Sequence, residues 1–533
     1  MNSSEIHKCV IHPAIGIARV GNAPISEYFI GPERPMAPSS PESGGKTENL
    51  EIRRQAARFR VYAYNEAEEL LGELDASTGA RVEWTVHLVN SKAVSPTTSP
   101  NSLNGQPRNN NVTGDARMSL VIDPGPRTVA KPGESALFDS GTFTYPGFSP
   151  VKVPLGGMHA DKDGRLVVVA AEGKSASPNP ESFITSFYNN PSWYDDVADG
   201  PVNAKVHIDG RNFEAEGAWV LSAPPDYAGF VDTPQSLYDH LIATHWPPPP
   251  GQPGNGGQPS YTHDVYPILK QAAGLKWTRE SQEPTALDLN TAYNADEDMR
   301  LKIADQIRVL PGGVSSVQNN VLAMWVAGNF IRDWEGPWSP LLPPFLPPPP
   351  ITPEGLDRAA LEACVGAPFF PGIEAGVWVN EPEHFRARLR IRAQAGDVTQ
   401  RMALPWQADF YACSGDYWWP AQRPNSVIVP PGQAKQSWSR GVESMAAMVT
   451  EWTKLGFIVP RGDEQVEAQR YFDNIVWADR IAERLNANGL DRERWLPIVE
   501  NMLDVAHSKP HPDNPREYRI GERARALIDE LIA

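Results

Sequence analysis

RFRVYAYNE, residues 58–66, alternates apolar and polar side chains over most of its length. A period of two is the signature of a half-buried strand, because successive side chains of an extended chain point to opposite faces. The same pattern lies on both sides of it. RVEWTVHLVN (81–90) and ARMSLVIDPG (116–125) alternate and are rich in β-branched or aromatic residues. Upstream, KCVIHPAIGIARVG (8–21) does so with Pro13, Gly16 and Gly21 as punctuation. GRLVVVAAEGK (164–174) is a short apolar run ended by Gly173, as in a buried strand, and AKVHIDG (204–210) and GAWVLSAPPDYAG (217–229) add two more. Helical periodicity is scarce before SLYDHLIATHW (236–246).

Beyond that point the pattern changes. WPPPPGQPGNGGQPS (246–260) reads as a flexible or extended loop and is the clear linker candidate. THDVYPILKQAAGL (262–275) and DMRLKIADQIRVL (298–310) have helical spacing. SPLLPPFLPPPPITP (339–353) reads as a polyproline stretch over the surface. TPEGLDRAALEACVG (352–366) carries helix-start signals in Pro353 and Glu354. The tail predicts helices over VESMAAMVTEWTKLG (442–456), VEAQRYFDNIVWADRIAERLNANG (466–489) and ERARALIDELIA (522–533). The expected class is α+β, with a β-rich N-terminal half and a more helical C-terminal half packed as one large unit. Its parts are a β-rich region at 1–245, the Pro/Gly-rich loop at 246–260 and a C-terminal region at 261–533.

The 533 residues are 41% hydrophobic and 21% charged, which supports a globular core. A net charge of −17 argues against nucleic acid or an anionic membrane as partner, since phosphate binding needs clustered Lys and Arg. No run of about 18 apolar residues predicts a spanning helix, and the N-terminus lacks a secretory pattern. The 53 prolines are spread among 16 tryptophans and many strand formers, so they read as stiffened loops of an ordered protein. Three cysteines at wide spacing exclude a disulfide framework and a CxxC site, and leave room for one special cysteine.

Nucleotide-binding glycine loops, HExxH and GxSxG are all absent. HSKPH (507–511) has metal-like spacing inside a Pro-rich polar loop, where a solvated loop is the better reading. Asp195 and Asp196 could form a paired carboxylate or serve a turn or calcium-type role. One stretch stands apart: DFYACSGDYWWPAQRP (409–424) sets Cys413 four residues after Asp409 in the most aromatic part of the chain. If the segment is helical, that spacing puts both side chains on one side.

Many stretches in one order resemble the quinoprotein amino-acid oxidases that carry cysteine tryptophylquinone, the L-lysine 6-oxidase and glycine oxidase family. They are IHPAIGIARVGN (11–22), YFIGPE (28–33), IRRQAARFRVYAY (52–64), WYDDVADGPV (193–202), WVLSAPPDYA (219–228), THDVYPIL (262–269), FFPGIE (369–374) and ALPWQADFYACSGDYWWPAQRP (403–424). The pattern extends through Trp438 to Phe457. The resemblance implies that Cys413 is joined by a thioether to an oxygenated tryptophan, for which Trp477 has the fitting separation. An ordinary helix-core role is the alternative for Trp477. It implies that Asp409 serves cofactor formation and catalysis, and that Tyr194, Cys364, His384, Trp418 and Trp419 are candidate pocket residues. Trp438 and Trp452 look structural.

The implied activity is oxidative deamination of a primary amine, most simply an amino acid, through a Schiff base with the quinone. O2 is then the acceptor, and hydrogen peroxide and ammonia are released. A flavin-dependent monooxygenase is the implied maturation partner and a homo-oligomer the implied assembly. No metal site and no membrane partner are expected. The implied compartment is cytoplasmic, with signal-independent export left open. Competing readings are a dehydrogenase with the same cofactor, a catalytically silent relative that binds or builds, and a carbohydrate-binding protein using its tryptophans.

Overall fold

The protein was analysed as a computed structural model that describes residues 3–41, 44–47, 49–96, 106–279, 289–310, 313–334, 350–366, 376–412, 421–428, 435–439, 442–461 and 464–468. The alternating stretch at 58–66 lies in its spine, the 11-residue strand Arg54–Tyr64. Phe59, Val61 and Ala63 are all buried on one face. Arg58 and Arg60, on the other, both pair with Glu33, and Arg60 also pairs with Glu73 at 3.1 Å. Arg60 can be buried because carboxylates accompany it.

Around this spine a 13-stranded sheet is built. Lys8–His12 pairs with one end of Arg54–Tyr64, and Leu166–Val169 with the other. From Arg54–Tyr64 the sheet runs outward through Ile15–Arg19, Ala218–Ala223, Asp199–Ile208, Arg81–Val86 and Arg127–Val129. The step between Ala218–Ala223 and Ile15–Arg19 is parallel, with Trp219 opposite Ile15. At Gly16 the sheet is tightly packed: an added Cβ would lie 2.4 Å from the Phe59 ring.

Three expectations change. Residues 116–125 do not form a strand; Gly114–Leu120 is a 3-10 helix. Leu120 and Ile122 still enter the core. The Arg117 guanidinium donates to the carbonyls of Arg108, Asn109 and Val112, which pins the chain into a turn. The start of the helix expected at 466–489 is instead a strand, Glu464–Glu467, paired with Ile458–Arg461. Both belong to a small four-stranded sheet with Ser426–Ile428 and Lys435–Ser437 that the tail's periodicity did not announce. The 246–260 loop is bonded to itself. The Gly251 N–H donates to the Asn255 carbonyl at 2.8 Å, and the Asn255 amide to the Pro248 carbonyl at 2.7 Å.

Helices dominate between these regions. Leu237–His245 starts at a capping box of Ser236 and Asp239. Tyr266–Gly274, Glu297–Arg308, Ser316–Val326 and Pro353–Glu362 follow, the last capped by Thr352. The chain is therefore α+β, with its strands concentrated in the N-terminal half and its helices in the C-terminal half. One apolar cluster joins Phe59, Trp84 and Val220 to Trp325, Phe410 and Trp438, so the halves share a core. Among the described residues no helix is long and apolar enough to cross a membrane.

Candidate active site

The stretch before Cys413 folds as a seven-residue helix, Trp406–Ala412. A helix this short has little stability of its own. It is held from outside, mostly by polar groups of the N-terminal half. The Ser91 hydroxyl donates to the Gly396 carbonyl at 2.6 Å. Asp199 accepts the Thr399 N–H and hydroxyl at 2.8 and 2.6 Å. Arg108 donates to the carbonyl of Met402 at 2.7 Å, Lys92 to that of Ala403 at 3.0 Å and Asn190 to that of Leu404 at 3.0 Å. The Asp195 carboxylate accepts the Trp406 N–H at 3.1 Å. The Gln407 amide donates to the Gly173 carbonyl at 2.8 Å and accepts from the Ser175 hydroxyl. At the far end Arg423 donates to the carbonyls of Phe410 and Tyr411.

The centre of this network is the ion pair of Lys92 and Asp195, at 2.8 Å with both side chains fully buried. Burial lowers the Lys92 pKa and Asp195 opposes it. Asn90 adds a third polar group, donating to Asp195 at 2.9 Å. Such a pair adds little net stability, but losing one partner leaves a bare buried charge, at about 3–5 kcal/mol. Its effect is to fix where the helix starts.

Aromatic rings case the helix on its other sides. Trp406 meets Trp452 edge-on at 5.2 Å and Phe410 at 5.6 Å. Tyr227 packs on Trp438 and Phe457, each at 4.9 Å, and donates its hydroxyl to the Trp452 carbonyl at 2.7 Å. Each well-placed ring pair is worth about 0.5–1.5 kcal/mol beyond its buried area. Trp438 and Trp452 are thus core residues.

Asp409 sits inside this casing, 1% exposed. Tyr194 is buried against Phe143 at 5.1 Å and is followed directly by Asp195. Cys364 is buried and lines a chamber of about 30 Å³ with Ser39, Asp226, Asp232 and Gln422. That volume holds about two waters. Its wall includes Ala421 and Gln422, the first described residues after Cys413. Asp409 lies on the helix that ends at Ala412, and Cys364 shares the chamber wall with Ala421 and Gln422. His384 is stacked on Trp378 at 3.9 Å with its Nδ1 against the Trp378 carbonyl at 2.6 Å, and Trp378 shares an apolar cluster with Cys364. Cys413, Trp418, Trp419, Trp477 and the HSKPH motif fall outside the described residues.

Asp195 and Asp196 are not an exposed metal or turn pair. Asp195 is tied to Lys92, while burial pushes the Asp196 carboxyl up to about 8, Asp195 adding to the effect. Among the described residues no group of His, Cys, Asp and Glu could hold a metal ion. His12 is spent on Asp357 at 2.9 Å. Cys9 is an inert buried thiol, raised to about 11 by burial. Sequence reasoning missed Lys92, Asn90, Arg108, Asn190, Gln407 and Gln422. Gln407 and Gln422 alone had a signal, their positions in the 403–424 stretch on either side of Cys413.

A β-rich half thus uses its buried charges to position a short helix and its carboxylate in a more helical half. The L-lysine epsilon oxidase N-terminal family model matches residues 12–222, and the L-lysine epsilon oxidase C-terminal domain model matches 313–438. The chain belongs to the L-lysine epsilon oxidase family. The L-lysine 6-oxidase of Marinomonas mediterranea is 22% identical, aligned over 92% of this chain and 93% of that protein. The crystal structure of the L-Lys epsilon-oxidase from that organism superposes with a TM-score of 0.71 at 20% identity, covering 87% of this chain and 95% of that one. A second, described as its Schiff base intermediate with L-Lys, gives 0.70 at the same identity and coverage.

Proposed function

We propose that the protein oxidatively deaminates a primary amine, most simply an amino acid, using cysteine tryptophylquinone formed from Cys413 and Trp477. The observation that carries this reading is Asp409: a carboxylate buried on an immobilised helix, four residues before Cys413. The chain's donor set fits the group, since a thioether to an indole needs a thiol and a nearby proton acceptor in a dry, aromatic setting. When formed, the quinone would supply an electrophilic carbonyl and a two-electron sink for a reaction in which the amine, O2 and water give a carbonyl product, hydrogen peroxide and ammonia.

The remaining work falls to the chain's own side chains. The Lys92–Asp195 pair and Gln407 fix the helix, so that Asp409 is preorganised rather than recruited. Asp409 is shielded from water at 1% exposure, which strengthens any interaction its charge makes. Asp409 accepts protons during maturation and serves afterwards as a base. Tyr194, Cys364, Trp418 and Trp419 are proposed to shape the pocket. Maturation requires an external oxygenating enzyme, for which a flavin-dependent monooxygenase is proposed.

The test is peptide mass analysis of protein co-produced with that partner. The Cys413 and Trp477 peptides should travel as one species carrying the quinone oxygens, in a coloured preparation that releases peroxide from an amino acid. Asp409→Asn should remain folded and lose both cross-link and colour. Separate, unmodified peptides in the matured native chain would replace this reading with that of a silent relative. Turnover unaffected by removing O2 would replace it with a dehydrogenase.

A further inference from the structure

Cys364 lies just past the helix Pro353–Glu362 and lines the chamber of about 30 Å³. Met36 and Glu362 line both this chamber and a larger cleft of about 610 Å³ outside it, so the two spaces meet there and open a way in from solvent. The chamber suits one hydrogen peroxide, a molecule about the size of two waters. Gln422 stands in the same wall, 1% exposed, and neither polar atom of its amide meets a partner among the described residues. Buried amides are normally hydrogen-bonded, so this one marks a place for a small polar guest. The amide is donor and acceptor at once, as hydrogen peroxide is.

The sulfur has a cation beside it. The Arg19 Nη2–H donates to Sγ at 3.5 Å, and the thiol donates to the Ala360 carbonyl at 3.5 Å. A guanidinium at the sulfur favours the thiolate, the form that attacks peroxide. Carboxylates in the chamber wall oppose this, but each has a cation facing it: Arg19 for Asp226, Lys270 for Asp232 and Arg358 for Glu362. Cys9 is the contrast. It is 2% exposed against 1% for Cys364, so the two thiols are matched in burial. Cys9 sits on the strand Lys8–His12 in the apolar core, where burial outweighs Arg211 and pushes it up to about 11.

We propose that Cys364 is a peroxide-reactive thiol, converted in this chamber to a sulfenic acid by hydrogen peroxide that the Gln422 amide holds there. The S–O bond forms as the O–O bond breaks. Sulfur gives up two electrons; one peroxide oxygen stays on sulfur and the other leaves as water, taking up the thiol proton. The sulfenic oxygen then takes the guest's place beside the Gln422 amide. Hydrogen peroxide is a product of the proposed oxidase reaction, so the thiol registers the enzyme's own turnover. The proposal rests on that reading for the source of the peroxide and not for the reactivity of the thiol.

The full chain made alone is treated with hydrogen peroxide in the presence of dimedone, which captures sulfenic acids, and each cysteine is followed by its own peptide mass. Cys364 should be labelled faster than Cys9 by about tenfold or more, the gap expected between an activated and an inert buried thiol. With dimedone left out, dithiothreitol should return Cys364 to the thiol. Gln422→Leu should slow Cys364 about fivefold or more, since it removes the hydrogen bonds to the guest. Cys9 should stay slow in that variant, which shows that its core is intact; should Cys9 quicken, Gln422→Met, closer in length, takes its place. Equal labelling of Cys364 and Cys9, or a Cys364 rate that loss of the amide leaves unmoved, overturns the proposal. In the matured enzyme, turnover of an amine should label Cys364 with no peroxide added. The two readings fail separately. Cys364 labelled by added peroxide in a matured preparation that releases none keeps the site and sinks the oxidase. An enzyme that releases peroxide while Cys364 reacts no faster than Cys9 does the reverse.

Discussion

Asp195 and Asp196 are adjacent in sequence and opposite in chemistry. Asp195 has Lys92 beside it; Asp196 has only the Lys174 N–H at 2.8 Å and a more distant Arg54, and is pushed up to about 8. An unfolded aspartate titrates near 3.9. Between about pH 4 and pH 8, then, Asp196 is protonated in the folded chain and ionised in the unfolded one. Unfolding releases a proton in that window, so this residue makes stability fall as pH rises through it and level off above. Asp199, raised to about 6 by burial, acts in the same direction over the lower half of the window. Asp196→Asn keeps an acceptor for the Lys174 N–H and removes the ionisation. It is expected to be close to neutral at pH 5 and stabilising at pH 8, by on the order of a few kcal/mol at most. Thermal unfolding of both proteins across pH 4–9 checks this. A native slope preserved in the variant would assign it to other groups.

At the scale of elements, one of the contacts that hold the short helix before Cys413 comes from a turn of chain at Gly173. Gly173 has φ +84, and an added Cβ would lie 2.6 Å from the Trp452 ring, while its carbonyl receives the Gln407 amide. Gly173→Ala combines left-handed strain of about 1–2 kcal/mol with overpacking of about 1–3 kcal/mol. A loss of roughly 2–5 kcal/mol in denaturant unfolding is expected, and cross-link yield should fall with it. A stability change under about 1 kcal/mol would show that Trp452 can move aside. The same elements show what a sequence can disclose. Phe59 and Val61 were legible because period two is a local property of the chain. Asp409 and Cys413 were legible because residue type, spacing and resemblance agreed. Lys92 and Asp195 lie 103 residues apart and only the fold brings them together. Residues 116–125 misled because Arg117 found three carbonyls that no local pattern records. Gln422 became informative only once its neighbours were known to leave it bare.

At the scale of the molecule, the site belongs to neither half. Asp195, Lys92 and Arg108 come from the β-rich region, yet they position the chain at 400–406 in the helical one. The apolar cluster crosses the same boundary, from Phe59 and Trp84 to Phe410 and Trp438. A region at 1–245 cut from the rest would leave Asp195 and Lys92 bare of the carbonyl and N–H they bind across the cut, and would expose one side of that cluster. We therefore propose that the regions 1–245 and 261–533, joined by the 246–260 loop, fold as one cooperative unit. Unfolding followed by tryptophan fluorescence and by far-ultraviolet circular dichroism should give coincident transitions, because the tryptophans Trp84, Trp325 and Trp438 sit in one shared core. The 1–245 fragment made alone should lack a cooperative transition. Two separated transitions in the full chain, or a fragment that folds as sharply as the whole, would mean that the buried charges dock two finished domains.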